Sequence, residues 1–260
     1  MSQNLNVFII QSNVVWENIS LNLTNFEQKI AEAPKNTDLI VLPEMFSTGF
    51  HPFPEKVSET MSGSAVIWMK NIAKNTNSAI CGSLVIAEND KFYNRFVFIT
   101  PDGLLYYYDK RHLFRMSNEF ETFTPGTTSI IINYKGWRIK PLICYDLRFP
   151  VWSRNKNDYD VLMYVANWPT SRQTQWHTLL LARAIENQAY VVAVNRIGTD
   201  GNNFEYAGDS LVIDPKGDVI QQFDLNTDKS GLATLNNELI TKYRKTFPVH
   251  LDADKFEITD

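Results

Sequence analysis

At 260 residues, 44% of them hydrophobic, the chain can bury a large core, and we read residues 1–260 as a single α/β domain. A formal net charge of -4 without any Lys/Arg-rich block argues against nucleic acid or an anionic membrane surface and points to a small-molecule partner. Residues Met1–Asn6 carry no basic segment ahead of their short apolar stretch, and no apolar run reaches the length of a membrane span, so the expected compartment is the cytosol.

Strand-like runs rich in Val, Ile, Phe and Tyr alternate with helical patterns from end to end, the signature of a layered α/β fold. Residues 5–11 predict a first strand, and 18–33 a helix with Ile19, Leu23, Phe26 and Ile30 on one face. Leu39–Leu42 reads as a buried strand stopped by Pro43. A second helix, 64–76, places Ala65, Trp68, Met69, Ile72 and Ala73 on one face and leads into a strand at 79–87. Strands 92–99 and 104–109 flank Pro101-Asp102-Gly103 as a hairpin.

Residues 110–128 have little apolar period. A stretch that long inside a compact domain points to function, and we expect an active-site wall there. The second half repeats the theme: strands 129–134, 137–143 and 160–166, a helix at 172–187, and strand 189–195. Strands 208–213 and 218–224 are joined by the turn Asp214-Pro215-Lys216-Gly217.

Three chemically capable residues share one type of position. Glu44 follows the strand 39–42 and Pro43, Lys110 follows the strand 104–109, and Cys144 follows the strand 137–143. Strand ends in layered α/β folds converge on crevices where ligands bind, so the coincidence of the three is the signal. Taken singly, each has a bland explanation: a solvated loop carboxylate, an edge lysine, a small buried hydrophobe.

Cys81 fits that last description, with apolar or small neighbours on both sides, and is assigned to the core. With no secretory context the two cysteines are expected to be free thiols, and no Cys/His cluster has metal-ligand spacing, so neither disulfide, metal nor cofactor is expected. Imidazole is the commonest base for a thiol. Among the four histidines, His51 and His250 sit beside prolines in polar loops and His177 lies in a helix, which leaves His112, two residues from Lys110, as the rival to Glu44.

Leu42-Pro43-Glu44, Tyr108-Asp109-Lys110-Arg111-His112-Leu113-Phe114 and Cys144-Tyr145-Asp146-Leu147-Arg148-Phe149-Pro150 resemble, in order and placement, the three catalytic blocks of the nitrilase (carbon–nitrogen hydrolase) superfamily. The resemblance covers residues 5–245. Phe149–Asn155, Ala166-Asn167-Trp168-Pro169 and Arg183–Tyr190 look most like the bacterial omega-amidase branch, associated with 2-oxoglutaramate and similar ω-monoamides of dicarboxylic acids. It implies a four-layer αββα sandwich, Cys144 as nucleophile, Glu44 as general base and acid, Lys110 as oxyanion stabiliser, and Glu119 as a fourth site residue. The family often has Gly-Glu-His where this chain has Asn118-Glu119-Phe120; Asn tolerates the left-handed conformation, so the backbone there is expected to persist.

By the same resemblance the Lys110 ammonium should favour the Cys144 thiolate and, with the Tyr145 backbone N–H, hold an oxyanion. One of the two carboxylates sharing a dry pocket should hold a proton. Arg148 either grips the distal carboxylate of the substrate or forms a structural ion pair with Asp146, and Trp168 lines the pocket or belongs to the core. At least a homodimer is implied, with residues 172–188 and Phe149–Asn155 near its interface. Left open are hydrolysis of N-carbamoyl compounds or nitriles, acyl transfer to amines, and a non-catalytic interaction module keeping the fold.

Overall fold

The computed structural model describes residues 4–258. In the first half, β1 (Leu5–Gln11), α1 (Ile19–Ile30), β2 (Leu39–Val41), α2 (Ser64–Thr76), β3 (Ala79–Glu88), β4 (Lys91–Ile99) and β5 (Leu105–Asp109) follow one another, then the short α3 (Glu119–Thr122). The second half runs β6 (Ile132–Tyr134), β7 (Trp137–Ile143), α4 (Pro150–Ser153), β8 (Val161–Ala166), α5 (Gln173–Asn187) and β9 (Tyr190–Asn195). It ends with β10 (Ile197–Thr199), β11 (Glu205–Ala207), β12 (Leu211–Ile213), β13 (Val219–Gln222), β14 (Lys229–Leu235) and α6 (Asn237–Thr246).

Two six-stranded sheets form, ordered β14-β1-β2-β3-β4-β5 and β13-β12-β9-β8-β7-β6. Each has three parallel strands at its centre, β1, β2 and β3 or β9, β8 and β7, flanked by antiparallel partners. Because side chains alternate across a strand, β1 sends Leu5, Val7 and Ile9 into the core shared with the second sheet and Phe8 and Ile10 to the layer under α1 and α2. β4 divides Phe96 and Phe98 from Val97 and Ile99 in the same way. On the other side, Trp176, Leu180 and Ala184 of α5 pack on the second sheet, whose β8 is buried at every position. The expected αββα sandwich is therefore present. Among the described residues, no helix is long and apolar enough to cross a membrane.

Differences from the sequence-based elements have local causes. α1 stops at Ile30 rather than 33, because Pro34 disfavours helical backbone at the residue before it; Asn18 caps its start, accepting the Leu21 N–H at 3.0 Å. The strand expected over 208–213 begins at Leu211, since Gly208 and Asp209 have φ of +80° and +60° and cannot extend a ladder. Of 129–134 only Ile132–Tyr134 pairs with β7. The sequence-based elements do not include the β10–β11 hairpin, β14 or α6.

Candidate active site

The ends of β2 and β5 in one sheet and of β7 in the other open onto a cavity of about 520 Å³, whose lining includes Glu44, Lys110 and Cys144. Glu44, Lys110 and Glu119 are all but completely buried. The Lys110 Nζ donates to Glu44 Oε1 at 3.1 Å and to both Glu119 oxygens at 2.9 and 3.0 Å. Glu44 Oε1 also accepts from Asn94 Nδ2 at 2.7 Å, and Oε2 from the Asn167 N–H at 2.6 Å. Such a density of donors fixes the carboxylate to within a narrow range of positions.

The loop that carries Glu119 is pinned at both ends. Asn118 takes the left-handed conformation, φ +56°, as expected of an asparagine replacing glycine, and turns the chain into α3. Glu119 Oε2 then accepts the Phe114 N–H at 2.7 Å. At the loop's return, the Gly126 N–H donates to the Lys110 carbonyl at 2.9 Å, and a Cβ on Gly126 would lie 2.1 Å from the Asp109 carbonyl oxygen. Only glycine permits that closure.

Cys144 begins a 3-10 turn, Cys144–Arg148, at the end of β7 with φ +42°. For a residue with a Cβ this is a sparsely populated conformation costing on the order of 1–2 kcal/mol. Asp146, fully buried, holds the turn: it accepts from the Ile143 N–H at 3.0 Å, Tyr108 hydroxyl at 2.8 Å, His112 N–H at 3.1 Å and His112 Nδ1 at 2.7 Å. The rival base, His112, is thus committed to Asp146 and stacked on Phe149 at 3.7 Å between ring centroids. The histidine contributes to the scaffold of the Cys144 turn.

Burial pushes the Cys144 thiol well above its ordinary pKa and Glu44 adds to the rise, while Lys110 opposes it. Lys110 thus favours the thiolate, as expected, but burial and Glu44 outweigh it. Burial alone would lower Lys110, but Glu119, Glu44 and Cys144 together outweigh it and keep the ammonium protonated. Glu119 is displaced upward, first by burial and further by Glu44, against the pull of Lys110. Two carboxylates sharing one cation in a dry site favour retention of one proton.

Arg148 and Trp168 both line the cavity, and the guanidinium lies over the indole, 5.2 Å from its centroid. The expected alternative, an Arg148–Asp146 ion pair, is not formed, because Asp146 is occupied by Tyr108, His112 and the Ile143 N–H. Trp168, although nearly buried, is therefore both core and cavity wall. Cys81 is core as expected, buried against Met163. Tyr145 lines the cavity beside Phe114, its ring 5.0 Å away.

Several residues in and around the cavity had no sequence signal. Asn94 sits mid-strand in β4, and only the fold aims it at Glu44 and Glu119; Ser83 of β3 fixes its amide through a 2.9 Å bond to Oδ1. Asn202, Phe204 and Tyr206 arrive on the β10–β11 hairpin, Phe50 and Pro52 on the loop after β2, and Arg172 from the turn ahead of α5. Apart from Phe50 and Pro52, which closely follow Glu44, each lies well outside the three blocks.

A family profile described as carbon-nitrogen hydrolase matches residues 6–245. Omega-amidase YafV of Escherichia coli (strain K12) is 44% identical over 254 residues, covering 98% of both chains. The 2-oxoglutaramate amidase of Bacillus subtilis (strain 168) is 34% identical over 218 residues, covering 82% of this chain and 84% of its own. Among solved structures, XC1258 from Xanthomonas campestris, described as a CN-hydrolase superfamily protein with an arsenic adduct in its active site, superposes with a TM-score of 0.96 at 38% identity. The match covers 99% of this chain and all of that one. On its fold, its matched length and these relatives, the chain belongs to the carbon–nitrogen hydrolase family and is an amide-hydrolysing enzyme of the nitrilase superfamily.

Proposed function

We propose that the chain is an omega-amidase, cleaving the terminal amide of small ω-monoamides of dicarboxylic acids, such as 2-oxoglutaramate, through a thioester on Cys144. The observation carrying this reading is the convergence of Glu44, Lys110 and Glu119, both carboxylates accepting from the Lys110 ammonium within 3.1 Å, beside the cavity that contains Cys144 on its strained turn. In the first step Glu44 takes the thiol proton as the Cys144 sulfur bonds to the amide carbon, and the carbonyl oxygen becomes an anion held by the Lys110 ammonium and the Tyr145 N–H. Removal of one such donor typically costs a hundred- to a thousand-fold in rate. Glu44 then delivers its proton to the nitrogen, the C–N bond breaks and ammonia leaves. Water attacks the thioester while Glu44 takes its proton, and collapse returns that proton to the Cys144 sulfur and releases the acid.

Two oxygens of Glu119 hold the Lys110 ammonium, so Glu119 acts by positioning the cation. At the far end of the substrate, Arg148 is free of any carboxylate among the described residues, which supports its role as partner for the distal carboxylate. Ammonia release from 2-oxoglutaramate, compared with 3-ureidopropionate and a short aliphatic nitrile, tests the assignment, with Cys144→Ala as control. Preference for the carbamoyl compound or the nitrile would replace it.

A homodimer in the cytosol completes the proposal. Val151 on α4 and Ile185 on α5 are about half exposed, large and apolar, and lie in the two segments expected near an interface; both cysteines are free, as a reducing compartment keeps them. Light scattering on wild type and Ile185→Asp should give a dimer and a monomer respectively.

A further inference from the structure

The wall of the cavity holds a second guanidinium besides Arg148. Arg172 ends the 3-10 turn Thr170–Arg172 immediately ahead of α5, half-buried, with its Cζ 5.2 Å from the centroid of Phe114 and Nη2 3.9 Å from Met116 Sδ. Neither arginine is paired with a carboxylate among the described residues, whereas Arg95, Arg138, Arg183 and Arg244 are. The two are also joined through one indole. Trp168 carries Arg148 on its ring face, and its Nε1–H donates to the Arg172 carbonyl at 2.7 Å. Both cations are thus set in place by aromatic surfaces that leave their N–H groups available to a ligand.

Two unneutralised guanidinium groups in a cavity walled by Phe50, Phe114, Trp168 and Phe204 call for an oxygen-rich anion. A lone carboxylate is satisfied by one bidentate arginine. We propose that Arg172 is a specificity-determining residue, the second arm of a two-arginine clamp with Arg148, and that the clamp selects amides whose acid end is a 2-oxo carboxylate with three oxygens to satisfy. The inference rests on the acid-amide reading above and deepens it by assigning the oxo group a reader.

Steady-state kinetics on three primary amides of equal chain length test it: a 2-oxo acid ω-amide, the same acid without the oxo group, and an uncharged amide. Arg172→Gln should raise KM for the 2-oxo acid roughly 10- to 100-fold, the usual worth of a charge-assisted hydrogen bond. The plain acid should suffer less and the uncharged amide least, with kcat moving little, and Arg172→Lys should fall between wild type and Arg172→Gln. An unchanged KM for the 2-oxo acid, or a rise of the same size for the uncharged amide, would overturn the clamp. Equal penalties for the two acids would overturn the assignment of the oxo group. A wild-type enzyme that handles the uncharged amide as efficiently as the acids would overturn the acid-amide reading itself, and the clamp with it.

Discussion

The two parts proposed for Glu44 towards Cys144 are removed by one substitution and told apart by two readouts. The Glu44 charge raises the thiol's pKa, and in the proposed mechanism its oxygen carries the thiol proton. Glu44→Gln keeps the Asn94 and Asn167 neighbours but removes charge and base together. Amide hydrolysis should fall by roughly a hundred- to ten-thousand-fold. The pH midpoint for Cys144 alkylation by a neutral reagent should shift downward; a midpoint that stays put or rises would refute the electrostatic part. Asp146 holds the turn that carries the same thiol, as the acceptor for four donors at 3.1 Å or less. Asp146→Ala strands those donors in the core and should destabilise the fold by about 3 kcal/mol, read by denaturant unfolding.

At the scale of elements, what matters is how loops are fastened to strand ends. Gly126 closes the 110–128 segment onto the root of Lys110 with no room for a Cβ. Gly126→Ala should push that root aside, lowering stability by about 2 kcal/mol and activity beyond what the lost stability explains, as judged by kcat well below the unfolding transition. The Cys144 turn is strained, and Cys144→Gly should unfold at least as late as Cys144→Ala because glycine accepts φ +42° without penalty. These same elements mark what was legible in the sequence. Long apolar runs such as Val161–Ala166 and periodic helices such as α2 declare themselves, and Glu44, Lys110 and Cys144 were visible because each terminates such a run. β14, with Lys229, Ser230, Gly231 and Thr234 among its seven residues, carries almost no apolar pattern, and α6 is amphipathic but mostly polar, burying only Ile240; their pairing and packing come from the tertiary fold. Asn94 was hidden for another reason, being a polar residue inside a strand, beside Arg95, with nothing local to mark it.

For the whole molecule, the two sheets convert sequence distance into a shared site: Glu44 and Lys110 come from one sheet and Cys144 from the other, and the core between the sheets holds them in register. Proton linkage follows from this burial. The folded Cys144 thiol keeps its proton above the ordinary thiol pKa, so its contribution to stability is complete below about pH 8.5 and fades as pH rises towards the folded value. Raising pH from 7 to 10 should therefore lower the Tm of wild type more than that of Cys144→Ala; equal slopes would contradict the assignment. The central claim is that amide cleavage passes through an acyl group on Cys144. Rapid acid quench of the enzyme during turnover of an ω-monoamide, followed by peptide mass spectrometry, tests it most directly. The acyl mass should appear on the peptide containing Cys144 and be absent from the Cys81 peptide, with at least one ammonia released per acylated chain. Ammonia release undiminished in Cys144→Ala, or an acyl group carried by any other residue, would contradict it.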